Sequence, residues 1–293
     1  MDNKTYARSI KIFLIDGNPN GRMSVELSNW TGKAYKIPRT MVPKSEDRYD
    51  LKRTGVYLLF GKDPKDDTKD MVYIGETEEV LNRLKYHLEN KEYWNTAVII
   101  ISKDDNLNKA HLKYLESKMY EHALEAGRYA VENANKPKCS FISEPDVAEM
   151  EEFYNNMALL ISTMGFKVFD KIKQTSTKEK DKNTFFIKTS TGTDAQGQQT
   201  EEGFVVLKGS KVADKEVPSF KGPQFKGAFN LRQKLINEEV VKREQDELVL
   251  SKDYLFSSPS SAAMVVMGRS ANGRTEWKTA EGLQLKDIEQ KGS

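Results

Sequence analysis

Residues 55–61 (GVYLLFG) and 71–75 (MVYIG) are the two apolar stretches that decide the fold of the first half of the chain. Both are rich in β-branched and aromatic residues and are bordered by glycine, which predicts two β-strands. The segment between them, 62–70, is polar and contains Pro64. Two strands joined in this way predict an antiparallel hairpin with a long polar tip.

Further strands and helices are predicted on both sides of this hairpin. Short apolar runs indicate strands, and apolar residues at i, i+3, i+4 and i+7 indicate amphipathic helices. The predicted elements are strands at 10–15 and 96–102 and helices at 78–90, 109–126 and 146–164. The expected fold class is therefore α/β (α+β), with a small antiparallel sheet flanked by helices.

A change in composition near residue 170 divides the chain. Residues 171–183 (KIKQTSTKEKDKN) contain one aliphatic side chain and no aromatic one, so we expect a solvated linker. The predicted plan is a β-rich extension over 1–50, a main domain with a trailing helix over 51–170, this linker, and an α+β accessory domain over 184–293. Within the last domain we expect strands at 184–188, 203–207 and around Trp277, helices at 230–241 and 260–267, and an exposed loop at 189–202.

Composition excludes several classes of function. The 46 Lys and Arg residues nearly balance the 44 Asp and Glu residues, so a nucleic-acid partner has to be argued from a local patch. The longest aliphatic run, 97–101, is far shorter than the roughly 20 apolar residues of a membrane span. With Cys139 as the single cysteine and only three histidines, a bound metal would be a hard cation held by oxygen. We therefore expect a cytoplasmic protein with no membrane partner.

Four side chains of the first half follow one another along the sequence in an order that suggests a catalytic site. Tyr57 and Tyr73 lie on the two hairpin strands, each in a tripeptide that contains glycine. Arg83 and His87 are four residues apart on the next predicted helix and share one of its faces. Taken singly, each of these residues has a structural explanation, because strand tyrosines usually pack and an Arg–His pair usually lies on a solvated face.

Three more candidates follow along the chain. Glu116 lies beside the apolar positions of the second predicted helix, where a partly desolvated carboxylate needs a partner such as a cation. Asn133 and Asn135 come after the end of that helix and before Pro137. Here too a structural reading exists, with Glu116 paired to a nearby lysine and the asparagines forming a turn.

The order and spacing of these residues together resemble the GIY-YIG nuclease family over residues 54–137. Residues 55–57 (GVY) correspond to the first motif of the family and residues 73–75 (YIG) to the second. Arg83 and His87 occupy the positions of its arginine and of its histidine or tyrosine. Residues 256–278 (FSSPSSAAMVVMGRSANGRTEWK) resemble a bacterial group in which this nuclease domain is followed by a C-terminal domain of unknown function.

The resemblance implies an endonuclease that hydrolyses DNA phosphodiester bonds with Mg²⁺ or Mn²⁺. It assigns the metal to Glu116 and the phosphate contact to Arg83. Both motif tyrosines have been considered as the general base in the family, and we prefer Tyr57, with Tyr73 orienting the water or the phosphate. The remaining implied roles are phosphate contact or support of Tyr57 for His87, and positioning for Asn135 or Asn133 and for Gly75.

Two departures from the family pattern affect the detail of the mechanism. The segment between the motifs, 58–72, is longer than usual, and its excess falls in the polar tip. Glu76 occupies a position where the excision-repair members carry a lysine. The alternative function is a catalytically silent nucleic-acid-binding or interaction module that retains the fold, although such a module has no reason to keep all of the matched side chains.

Overall fold

The computed structural model describes residues 7–171, 184–190 and 192–291, and within these ranges it has two seven-stranded sheets and several helices. This architecture confirms the α+β class. The chain divides into two compact units, Met1–Lys171 and Ile172–Ser293, and each has its own apolar core. The predicted linker at 171–183 lies outside the described residues, except for Lys171.

The first unit is built on one sheet, with the strand order β1-β2-β3-β6-β4-β5-β7. Its strands are β1 (Ile10–Leu14), β2 (Met23–Leu27), β3 (Gly32–Pro38), β4 (Gly55–Asp63), β5 (Asp66–Thr77), β6 (Trp94–Ser102) and β7 (Ala130–Val131). Neighbouring strands are antiparallel except for the parallel pair β5–β7. Because β3 pairs with β6 along its whole length, the predicted N-terminal extension and the central hairpin belong to the same sheet.

Helices cover both faces of this sheet. They are α1 (Val80–Asn90), α2 (Lys109–Ala126) and α3 (Glu144–Thr163). Val56 and Leu58 of β4 share one core with α2 and α3, whereas Tyr57 shares the other core with α1. Burial on both faces explains the uninterrupted apolar runs of β4 and β6. No helix of the described ranges is long and apolar enough to cross a membrane.

The predicted long tip of the central hairpin is wrong. β4 and β5 extend to Asp63 and Asp66, with a register shift between Lys62 and Asp63, so the turn that closes the hairpin consists of Pro64 and Lys65. The polar residues of this segment pair across the ribbon, as Lys62 does with Asp70 at 2.7 Å. The polar sequence of 62–70 led to the prediction of a loop, but backbone hydrogen bonds between two strands need no apolar side chains where the strands extend beyond the core.

The second unit contains a sheet of order β12-β13-β11-β9-β10-β14, with β8 also paired to β9. Its strands are β8 (Thr184–Lys188), β9 (Asp194–Thr200), β10 (Gly203–Val206), β11 (Lys211–Val212), β12 (Val241–Glu244), β13 (Glu247–Leu250) and β14 (Tyr254–Phe256). Its helices are α4 (Lys226–Asn237), α5 (Pro259–Met267), α6 (Gly273–Glu276) and α7 (Leu285–Lys291).

Three predictions for this unit need correction. The expected loop at 189–202 contains β9, an interior strand, because its neighbours supply partners for a backbone whose side chains gave no strand signal. The expected helix at 230–241 is α4, which begins and ends four residues earlier. Trp277 does not lie in a strand: it follows α6, and Lys278 forms only isolated bridges.

Residues 256–278 pack closely against one another within this unit. Ser258 caps α5, because its hydroxyl accepts a hydrogen bond from the Ser261 amide at 3.1 Å. Trp277 is fully buried, and its indole Nε1 donates to the Pro259 carbonyl at 3.0 Å. Gly273 lies so close that a Cβ there would be 2.1 Å from the Pro259 carbonyl carbon. These residues therefore have a packing role.

This contact predicts that Gly273→Ala destabilises the second unit by about 1–3 kcal/mol, because backbone atoms would have to move to admit the methyl group. Gly227→Ala in α4 is the matched control, since a Cβ there meets no other side chain or strand of the described residues within 4 Å. The control should leave stability unchanged or raise it by up to about 1 kcal/mol. Calorimetric melting of both variants and the parent measures the difference, and an unchanged melt for Gly273→Ala would contradict the packing.

Candidate active site

Tyr57, Arg83 and His87 form a hydrogen-bonded cluster between β4 and α1. The Tyr57 hydroxyl oxygen lies 2.8 Å from His87 Nε2, and Arg83 Nε donates to the same oxygen at 3.2 Å. Tyr57 is 0% exposed and His87 is 1% exposed. The spacing correctly predicted that Arg83 and His87 share a helix face, but that face is turned toward the sheet.

Tyr73 adjoins this cluster from β5. Its ring centroid lies 6.1 Å from that of Tyr57 and 5.2 Å from that of His87. The Lys91 ammonium is 4.5 Å from the centre of the Tyr73 ring. Unlike Tyr57, Tyr73 is only partly buried. The structure thus brings both motif tyrosines, Arg83 and His87 to one place.

Gly75 is the cross-strand partner of Tyr57, and it is what allows the tyrosine to lie flat on the sheet. A Cβ at this position would be 2.4 Å from the Tyr57 hydroxyl oxygen and 2.5 Å from its ring carbon Cζ. Position 75 therefore requires glycine for a steric reason, because any larger side chain would collide with the Tyr57 ring. The positioning role that the resemblance implies for Gly75 stays a prediction, and this close approach is the contact through which it would act.

Burial dominates the electrostatics of the cluster. It raises the pKa of the Tyr57 phenol well above its usual range, and Tyr73 adds to this while Arg83 opposes it. Burial also lowers the pKa of His87 to about 4, assisted by the positive charges of Arg83 and Lys91. His87 is therefore a neutral imidazole at pH 7, with one protonated and one unprotonated ring nitrogen.

Glu116 lies on α2, which packs on the opposite face of the sheet from α1, the helix that carries Arg83. Its carboxylate accepts a backbone hydrogen bond from Glu76, and Lys109 pairs with the Glu76 carboxylate at 2.9 Å. Burial, followed by the negative charge of Glu76, raises the pKa of Glu116 to about 7, while the positive charges of Lys109 and Arg83 oppose the rise. Glu76 was noted in the sequence only as a departure, although its place two residues after Ile74 puts it on the α2 face of β5.

The carboxylates at this point fit a small hard cation. The described ranges contain no group of three or more His, Cys, Asp or Glu side chains that could hold a metal ion. Zinc sites use three or four such ligands, whereas Mg²⁺ needs only one or two carboxylates because it keeps several waters. Glu116 and Glu76 are the carboxylates at this point that could hold such a hydrated ion.

Asn133, and not Asn135, contacts the strand that carries Tyr73. Its amide Nδ2 donates to the Ile74 carbonyl at 2.7 Å, and its Oδ1 accepts from the Ile74 N–H at 3.0 Å. β7 pairs with β5 only at Met71 and Val72, so the Asn133 amide takes over the pairing of the edge where β7 ends. Asn135 is exposed.

This difference predicts that Asn133→Ala destabilises the first unit by about 1–3 kcal/mol, because both backbone groups of Ile74 lose a partner. Asn135→Ala is the matched control and should change stability by less than about 0.5 kcal/mol. Chemical denaturation of both variants, followed by tryptophan fluorescence, makes the comparison. Equal effects would remove the assigned role of Asn133.

The second unit is similar to a known domain family. The family described as "Domain of unknown function (DUF4357)" matches residues 185–289. No curated protein matches the chain, and no solved structure matches it. The expected C-terminal domain of unknown function is thus supported, and the chain is similar over residues 185–289 to an uncharacterised domain family.

Proposed function

We propose that this protein is a metal-dependent endonuclease of the GIY-YIG type, and that its first unit hydrolyses DNA phosphodiester bonds. The observation that carries the proposal is the hydrogen-bonded cluster of Tyr57, Arg83 and His87, with Tyr73 beside it. A fold needs no such cluster for stability, because burying polar groups costs free energy that apolar side chains would not cost. Its cost is understandable if the cluster performs chemistry.

Arg83 is assigned to the scissile phosphate. Hydrolysis gathers negative charge on the phosphate oxygens in the transition state, and a fixed guanidinium stabilises that charge. A guanidinium carries five N–H donors, and Nε of Arg83 is committed to Tyr57. The hydrogen bond fixes the plane of the group, and donors remain for phosphate oxygens.

Tyr73 is assigned to the attacking water. Tyr57 is fully buried, whereas Tyr73 is partly exposed beside the same arginine. A general base must come within hydrogen-bond reach of the water that it deprotonates. Tyr73 therefore replaces Tyr57, the tyrosine preferred from the sequence, as the proposed general base, and Tyr57 is the residue that positions Tyr73 and Arg83.

Glu116 is assigned to the divalent cation, with the Glu76 carboxylate as a second oxygen donor close by. When bound, Mg²⁺ or Mn²⁺ would stabilise negative charge on the phosphate and on the leaving oxygen. The positive charge of Arg83 lowers the pKa of Glu116 and so opposes the effect of burial on this carboxyl. Lys109 holds Glu76 in place through its ion pair.

The second unit is assigned to the choice of substrate or partner. Trp277 is buried, so it cannot stack on a base as an exposed aromatic residue would. Two arginines near it are paired, Arg269 with Glu276 at 2.9 Å and Arg274 with Glu289 at 2.7 Å. These observations favour a packed accessory domain whose contribution is not chemical.

The metal assignment predicts that Glu116→Gln lowers cleavage by about 10²-fold or more while the fold and DNA affinity are retained. Glu121→Gln is the matched control, because Glu121 is exposed on the same helix and pairs with Lys136. Cleavage of plasmid, single-stranded, branched and modified DNA with Mg²⁺ or Mn²⁺ measures both. Undiminished activity of Glu116→Gln would remove the metal assignment, and a parent protein that binds but never cuts DNA would favour the silent module.

The domain assignment predicts that a chain ending at Lys171 folds and retains weak, less selective cleavage, because its core and all proposed site residues lie before that point. Melting curves and the same DNA substrates compare it with the full chain. An unfolded product would show that the first unit depends on the second. Unchanged rate and preference would show that the second unit has another task.

A further inference from the structure

The two ring nitrogens of the buried His87 imidazole differ in their hydrogen bonding. Its Nε2 lies 2.8 Å from the Tyr57 hydroxyl, but its Nδ1 is sealed from solvent and has no hydrogen-bond partner among the described residues. The distance alone does not say which of Nε2 and the Tyr57 oxygen is the donor. The surroundings of the other ring nitrogen decide the question.

A neutral imidazole carries its single proton on one of the two nitrogens. If Tyr57 donated to Nε2, the proton would be on Nδ1, and a buried N–H group would have no acceptor. If the proton is on Nε2, Nδ1 has only an unused lone pair. A buried donor without an acceptor is much rarer in proteins than an under-used acceptor, so the second arrangement is favoured.

We propose that His87 is held as the Nε2–H tautomer, and that it is a hydrogen-bond donor to Tyr57 and not the acceptor of its proton. The catalytic meaning of this arrangement rests on the proposed nuclease function. His87 is then a positioning residue, because it acts through Tyr57 and does not contact substrate. A histidine beside a tyrosine in an active site would otherwise suggest a proton relay between them.

The tautomer fixes the direction of the Tyr57 hydroxyl. With His87 Nε2–H and Arg83 Nε–H both donating to its oxygen, Tyr57 has used both lone pairs of the neutral phenol. Its own O–H must therefore point elsewhere, and the neighbouring ring of Tyr73, with its centroid 6.1 Å from that of Tyr57, lies beside it. The hydrogen-bonded chain then runs from His87 and Arg83 through Tyr57 towards Tyr73, so His87 helps to fix the position of the side chain that is proposed to meet the attacking water.

Nitrogen NMR of the full-length protein tests the tautomer directly. With only three histidines in the chain, long-range proton–nitrogen spectra at pH 7 can be assigned by replacing His111 and His122 in turn. The proposal expects Nε2 of His87 to resonate as a protonated nitrogen and Nδ1 as an unprotonated one. The reverse pattern would overturn it. This measurement does not depend on nuclease activity, so it separates a wrong tautomer from a wrong function.

Two substitutions test the consequence. In His87→Gln the side-chain amide can still donate to Tyr57 but cannot take up a proton, whereas His87→Leu removes the donor. We expect kcat/KM of His87→Leu to fall by about tenfold or more, and that of His87→Gln to stay within a few-fold of the parent. If both variants fold, as judged by melting, and lose activity equally, His87 is needed as a base and the proposal is wrong.

Discussion

The contact between Tyr57 and Gly75 is the constraint on which the rest of the proposed site depends. The two residues face each other across the β4–β5 ladder, and the tyrosine ring occupies the space that a side chain at position 75 would fill. A ring held flat on a sheet and covered by α1 has little freedom. Its hydroxyl is therefore a fixed point at which Arg83 and His87 of α1 can converge.

Bringing these polar side chains together away from water costs free energy, and the packing of the surrounding elements offsets that cost. The sheet is covered on both faces, so the polar cluster lies inside a large apolar framework. The hydrogen bonds to the Tyr57 oxygen compensate for part of the lost hydration, although Nδ1 of His87 has no partner in the part of the chain that the structure describes. A pre-organised polar group of this kind is expected where charge develops during a reaction.

The second unit illustrates how a distinctive sequence can have a purely structural basis. The stretch 256–278 is rich in serine and glycine and ends in a tryptophan beside charged residues. In the structure the serine caps a helix, the glycine admits the backbone of Pro259, and the indole hydrogen-bonds to the Pro259 carbonyl. The similarity to an uncharacterised domain family covers this same unit.

The sequence by itself determined those parts of the protein in which periodicity follows burial. α2 and α3, with their apolar stripes, and the strands β4 and β6, buried on both faces, were predicted within a few residues. β9 was not, because its pairing uses backbone groups that leave no trace in side-chain type. The same reason explains the extended ladder of the hairpin beyond Gly61.

For the candidate site, too, some features followed from the sequence and others only from the tertiary structure. Spacing along one helix placed Arg83 and His87 on a common face, and the resemblance ordered the tyrosines and Glu116 along the chain. Only the tertiary structure decided that Tyr57 is buried while Tyr73 is partly exposed, that Asn133 is the asparagine bonded to Ile74, and that Glu76 lies against Glu116. These features depend on which elements meet across the sheet, and contacts between residues distant in sequence are set by packing and not by local pattern.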